Sequence, residues 1–155
     1  MKRGRIFVFG SNMLGIHGAG AAKFAFENYG ARWGIVRGLS GDSYALPTCS
    51  KPGIPRTKEE IVEELYHFRR CAEGYPELDF LLTSIGCGHA GYNTEEIRSL
   101  LVETGPFPDN VYIQAGLAMA RGPTTLAERI HDAQQQKKSW PDFMQTGPRQ
   151  PVKEG

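Results

Sequence analysis

The sequence predicts an α/β domain with a mainly parallel central sheet and helices on both faces. Short apolar runs rich in β-formers alternate with helical patterns along the chain. The 19 glycines are also unevenly spread, gathering at 10–20, 30–41 and 86–91, and two of these clusters lie between a predicted strand and a predicted helix.

Arg5–Phe9 reads as a buried strand, and Gly10–Gly20 as a glycine-punctuated loop. The segment Ala21–Tyr29 places Ala22, Ala25, Phe26 and Tyr29 on one helical face, and Gly30 is a natural stop. Breakers through Trp33–Ser43 predict an excursion or short hairpin. Ser43–Pro47 is a second strand ended by its proline, with Thr48–Arg56 as a loop. Thr57-Lys-Glu-Glu60 is a capping box that opens a helix, with Ile61, Leu65 and Phe68 on one face and an end near Gly74. Leu78–Ser84 is mostly apolar on both faces, as a central parallel strand should be. Ile85–Asn93 is the second glycine loop, Asn93 caps a further helix, and Val111–Gln114 is a last strand. Residues 1–121 are expected to form one nucleotide-binding unit. Residues 122–155 differ in kind: a helix over 123–138, then an extended tail carrying Trp140, Phe143 and Met144.

Composition narrows the function. The 155 residues suit one domain, and 40% hydrophobic residues suffice for a core. A net charge of +1 gives no electrostatic signature of a nucleic-acid partner. No apolar run is long enough to span a membrane, and nothing resembles a signal peptide, so a cytoplasmic location is expected. Three irregularly spaced cysteines, Cys49, Cys71 and Cys87, suggest neither a disulfide framework nor a metal site, and no cofactor is expected.

A strand followed by glycines and then a helix suits anion binding, because the free N–H groups of the first helical turn and the helix dipole both favour negative charge. Gly18, Ala19 and Gly20 precede the helix beginning at Ala21, and their small size lets a pyrophosphate approach the backbone. Gly10 and Ser11 lead into this loop, and the Asn12 amide is suited to a ribose hydroxyl. His17 is a candidate phosphate contact. The spacing fits neither the dinucleotide fingerprint nor a Walker loop. In the second loop, Ile85, Gly86, Cys87, Gly88, His89, Ala90 and Gly91 are placed to clamp a diphosphate from the other side, with Tyr92 as an aromatic face for a ribose or base.

These two loops resemble those of macro domains. Asn12–Ala22 looks like the first ligand loop of that family. His17–Gly30 and Ile85-Gly-Cys-Gly-His-Ala-Gly91 are similar to the branch that removes ADP-ribose from acidic side chains. The resemblance covers roughly residues 5–115. It implies a three-layer α/β/α fold whose first loop meets the distal ribose and whose second wraps the pyrophosphate. It also implies a partner that is ADP-ribose, a relative, or an ADP-ribosylated macromolecule. The catalytic residues of the family are incompletely matched. Ala22 and Lys23 stand where many hydrolytic members carry an aspartate. Lys51 lies a little beyond the branch's lysine, and His89 or Ala90 occupies its aspartate position.

Asn12, Lys51 and His89 are therefore the candidate catalytic residues: Asn12 on the ribose, Lys51 as a nucleophile if its pKa is depressed, and His89 as general acid or base. The expected function is binding of ADP-ribose or a related phosphate-bearing nucleotide, with hydrolysis of an ADP-ribosyl linkage as an extension. One alternative is a non-catalytic binder that senses or sequesters a nucleotide signal, of a kind found in phage or mobile elements. Another is a nucleic-acid surface made of Lys51, Arg56, Lys58, Arg69 and Arg70 with Tyr66 and Phe68. The interleaved Glu59, Glu60, Glu63 and Glu64 argue instead for a solvated helix face.

Overall fold

A computed structural model describes residues 4–88 and 90–114. His89, the expected helix over 123–138 and the tail with Trp140, Phe143 and Met144 lie outside the described residues. The element order is β1 (Gly4–Asn12), α1 (Gly20–Asn28), β2 (Gly38–Ser40), β3 (Ser43–Lys51), β4 (Ile54–Pro55), α2 (Lys58–Gly74), β5 (Leu78–Leu82), α3 (Thr94–Thr104) and β6 (Val111–Ile113).

The strands form one sheet in the order β2-β3-β1-β5-β6, with β4 paired to β3. The β1–β3, β1–β5 and β5–β6 pairs are parallel, whereas β2 and β4 run antiparallel to β3 at the edge. The layering follows from chain direction. The α1 crossover carries the chain from β1 to β3, and the α2 crossover then carries it back past β1 to β5. Right-handed crossovers that reverse direction must lie on opposite faces. The α3 crossover continues in the second direction and so shares the face of α2.

Strand alternation supplies both faces with apolar side chains. Phe9 and Ala45 pack with Ala22 and Ala25 of α1, and Leu81 packs with Tyr29. Ile6, Val8, Tyr44, Leu46, Phe80 and Leu82 form the larger core with Ile61, Leu65 and Phe68 of α2 and Ile97 and Leu101 of α3. The described residues form an α/β/α sandwich with one helix on one face and two on the other.

Both expected helix starts are capping boxes. Thr57 accepts from the Glu60 N–H while Glu60 accepts from the Thr57 N–H, and Asn93 and Glu96 do the same for α3. The region 33–43 forms a hairpin, with Gly38–Ser40 paired to Ala45–Ser43.

Two expectations are corrected. Pro47 does not end its strand: β3 continues to Lys51 and turns into β4, so Thr48–Arg56 is a hairpin rather than a loop. The Asp42 carbonyl accepts from the Phe7 N–H on the β1 side, so strand alternation turns the Pro47 nitrogen to the outer side. There it falls between the β2 ladder, which ends at Ala45, and the β4 ladder, which begins at Cys49. A residue without an N–H is tolerated in that gap. The second correction concerns α2, whose charged run is not uniformly solvated. Glu64 is buried, and Phe68 is wholly buried in the core.

No helix among the described residues is long and apolar enough to cross a membrane.

Candidate functional site

A cleft of ≈ 340 Å³ opens at the carboxyl ends of the parallel strands. Gly10, Ser11 and Asn12 line it from the end of β1, Thr48 and Cys49 from β3, and Thr83, Ser84, Ile85 and Gly86 from the segment after β5. The chain crosses from β1 to β3 on one side and then back past β1 to β5 on the other, so the crevice lies at the topological switch point of the sheet, the usual ligand position in open α/β folds. Gly18, Ala19, Gly20, Ala21 and Ala22 close one side with the start of α1. Ile16, Pro52, Gly88 and Ala90 complete the lining.

The strand ends meet closely at Gly10. A Cβ there would lie 3.1 Å from Thr48 Oγ1, a tight approach, and 3.6 Å from the Gly86 nitrogen, an ordinary contact, so a side chain would press on the β3 wall. Gly86 has φ +73°, and an added Cβ would lie 2.8 Å from Ile97 Cδ1, which ties the second loop to α3. Its carbonyl accepts from the Tyr92 N–H at 2.9 Å, and the Gly88 carbonyl accepts from the Gly91 N–H at 2.9 Å, one bond nested inside the other.

The three helix starts differ. Capping boxes satisfy α2 and α3, and each has two acidic residues in its first turn. The α1 N-cap is Ala19, with no side-chain cap and no acidic residue in the first turn. Leading N–H groups of a helix have no intrahelical acceptor, and at α1 they lie beside the cleft. Lining side chains add the Ser11, Thr48, Thr83 and Ser84 hydroxyls and the Cys49 thiol. Three of the hydroxyls help to hold the walls: Ser11 donates to the Val36 carbonyl at 2.7 Å, Thr83 to Val8 at 2.5 Å, and Ser84 to Gln114 Oε1 at 3.2 Å.

The cleft brings together Gly10, Ser11, Asn12, Gly18, Ala19, Gly20, Ala21, Ile85, Gly86, Gly88 and Ala90 from the sequence-derived set. The remaining described candidates sit elsewhere. His17 is buried behind the first loop, where its Nε2 donates to the Arg32 carbonyl at 2.8 Å. Its Nδ1 is buried without a hydrogen-bond partner among the described residues. Lys51 is exposed at the end of β3, outside the lining. Cys87 packs against the core, and burial pushes its thiol pKa up, away from thiolate chemistry. Gly91 is exposed outside the lining. The Tyr92 hydroxyl donates to the Arg56 carbonyl at 2.5 Å, and its ring also packs against the core.

Asn12 is a special case because its amide is committed to its own loop. Nδ2 donates to the Ile16 carbonyl at 2.9 Å, while Oδ1 accepts from the Leu14 and Ile16 N–H groups, each at 3.1 Å. Asn12→Ala is expected to lower stability by about 2 kcal/mol, because three partly buried backbone groups lose their partner. It should also weaken ligand binding, because Ile16 and Gly18 would lose their fixed positions. Thermal melts and titration of the same preparation check both effects. An Asn12→Ala protein with unchanged stability would remove this organising role.

Sequence reasoning missed Ile16, Ala22, Thr48, Cys49, Pro52, Thr83 and Ser84 as lining residues. Thr48 and Cys49 became visible only once β3 was carried through Pro47 to the ligand end of the sheet. Thr83 and Ser84 lie beyond β5, which stops at Leu82 rather than running to Ser84. No protein-family model matches the chain, and no curated protein is significantly similar to it.

Proposed function

We propose that this chain binds ADP-ribose or a related phosphate-bearing nucleotide in the cleft. The observation that carries the reading is the convergence of an uncapped α1 N-terminus with three parallel strand ends around one cavity. The N–H groups and dipole of α1 would receive the phosphates, and the small residues from Gly18 to Ala22 let a pyrophosphate reach them. The volume lies at the small end of the ~300–1,000 Å³ range of ligand sites. The macro-domain resemblance of both loops favours ADP-ribose among phosphate-bearing ligands, free or attached to a macromolecule.

Within this reading, sequestration or sensing is favoured over hydrolysis. The described lining residues provide hydroxyls, one amide and one thiol, but no carboxylate or amine. Lys51 stands outside the lining. The nucleic-acid alternative is weakened by pairing: Arg56 is bound to Glu64, Lys58 to Glu96 and Arg69 to Glu73. We place the protein in the cytoplasm, where nucleotide ligands of this class occur.

Calorimetric titration of the purified chain with ADP-ribose, with AMP and NAD as controls, tests the reading. Micromolar or tighter binding selective for ADP-ribose is expected. Absence of binding to all three overturns it. Incubation with an ADP-ribosylated protein then separates the two modes: release of free ADP-ribose identifies a hydrolase, and tight binding without release identifies a sequestering protein.

A further inference from the structure

We propose that Trp33 is the stacking platform for the aromatic base of the nucleotide whose phosphates sit at the start of α1, an assignment that rests on the cleft reading above. The backbone on both sides of Trp33 is fastened to the first glycine loop. On one side the Arg32 carbonyl accepts from His17 Nε2 at 2.8 Å, and on the other the Gly34 N–H donates to the Gly15 carbonyl at 2.8 Å. The two segments are in backbone contact: a Cβ at Gly15, whose φ is +69°, would lie 2.6 Å from Gly34 Cα. His17 is 1% exposed and meets Phe9 edge-on at 5.5 Å, which anchors one of these ties in the core.

The tryptophan held by these ties is nevertheless 51% exposed. A tryptophan recruited for packing would bury its large apolar face. Here the backbone is fixed and the His17 ring lies 5.9 Å from the indole, yet half of the residue stays open. Phe26 of α1 supports it edge-to-face, with centroids 6.0 Å apart.

Trp33 is not itself a lining residue, but its ring touches one. Trp33 Cη2 lies 3.8 Å from the place a Gly18 Cβ would take, and Gly18 lines the cavity beside the α1 N-terminus. With no side chain at Gly18, nothing from that residue separates the phosphate seat from the indole. A ligand that bridges the two must carry a phosphate and, a short linker away, a flat ring. A nucleotide has that chemistry, and stacking accepts any base because every base has a π-face.

The test titrates the full-length chain, as wild type, Trp33→Ala and Trp33→Phe, with ADP-ribose and with inorganic pyrophosphate. Trp33→Ala should bind ADP-ribose about ten- to a hundred-fold more weakly, with pyrophosphate affinity unchanged. Trp33→Phe, which keeps a ring, should recover most of the loss. In a Trp140→Phe background, which leaves Trp33 as the sole tryptophan, ADP-ribose should quench the fluorescence and pyrophosphate should not. Wild-type affinity for ADP-ribose in Trp33→Ala, or an equal loss for both ligands, overturns the platform while leaving the cleft standing, as does ADP-ribose binding without quenching. Failure of the wild type to bind ADP-ribose, AMP or NAD overturns the cleft reading and the platform together.

Discussion

Glu64→Gln is expected to lower stability by about 3 kcal/mol and the melting temperature by about 10 °C. Glu64 is 4% exposed and lies between two arginines from distant parts of the chain. Arg37 makes a two-point contact, with Nε 3.1 Å from Oε1 and Nη2 on Oε2, while Arg56 Nη1 reaches Oε2 at 2.9 Å. Arg37 is well exposed at its outer end, but the Arg56 side chain is only 13% exposed. The neutral amide would leave the Arg56 charge largely buried without its counter-ion, and that loss dominates the expected effect. The same arginine braces the cleft: Nη1 donates to the Pro47 carbonyl at 3.1 Å, and its backbone N–H donates to Thr48 at 2.8 Å. Ligand affinity should therefore fall with stability.

The sign of the pH dependence separates this ion cluster from simple packing. Burial alone would raise the Glu64 pKa, but hydrogen bonds from Arg37 and Arg56 outweigh it and hold the carboxyl below its ordinary value. A folded pKa below the unfolded one gives stability that is complete above the ordinary carboxylate range and lost as pH falls through the folded value. The wild-type advantage over Glu64→Gln should thus be full at neutral pH and shrink on acidification below that range. A difference independent of pH would mean that shape, not charge, explains the loss.

Glu64 also marks the limit of what was legible in the sequence. Elements governed by neighbouring residues could be read directly. The Thr57–Glu60 and Asn93–Glu96 boxes appear where their spacing puts them, and the apolar runs from Arg5 and Leu78 are the central strands β1 and β5. Features decided by distant partners were not readable. Glu64 resembles its solvated neighbours until Arg37, 27 residues earlier, is folded onto it. Pro47 carries a local stop signal, overridden because the outer ladder has a gap at that position. For the candidate site, the glycine clusters marked both loops. Side-chain direction within those loops depended on remote groups: the Arg32 carbonyl holds His17, and the Arg56 carbonyl holds Tyr92. The spacing around Asn12 gives no hint of its three bonds back to its own turn.

Ala21→Glu should separate ligand binding from folding, because its two effects are expected to have opposite signs. Ala21 lies in the first turn of α1, is exposed and lines the cleft. That turn has no acidic residue, so a carboxylate there complements the helix dipole and should leave stability unchanged or raise it by about 0.5 kcal/mol. The same carboxylate would occupy the seat proposed for phosphate. ADP-ribose affinity should fall about 100-fold, equivalent to about 2.7 kcal/mol, and added salt should recover part of the loss by screening the repulsion. Ala21→Gln, of similar size without the charge, should lose much less. Ala21→Lys should reverse both signs, costing a few tenths of a kcal/mol in stability while strengthening anion binding. Gly20 is a poorer probe, since its φ of +60° strains any added side chain and mixes folding with binding. Melts and titrations of the three Ala21 variants provide the check. If ADP-ribose affinity follows bulk and ignores charge, the α1 N-terminus does not hold the phosphates; if it follows charge while stability moves the other way, the helix start is the anion seat.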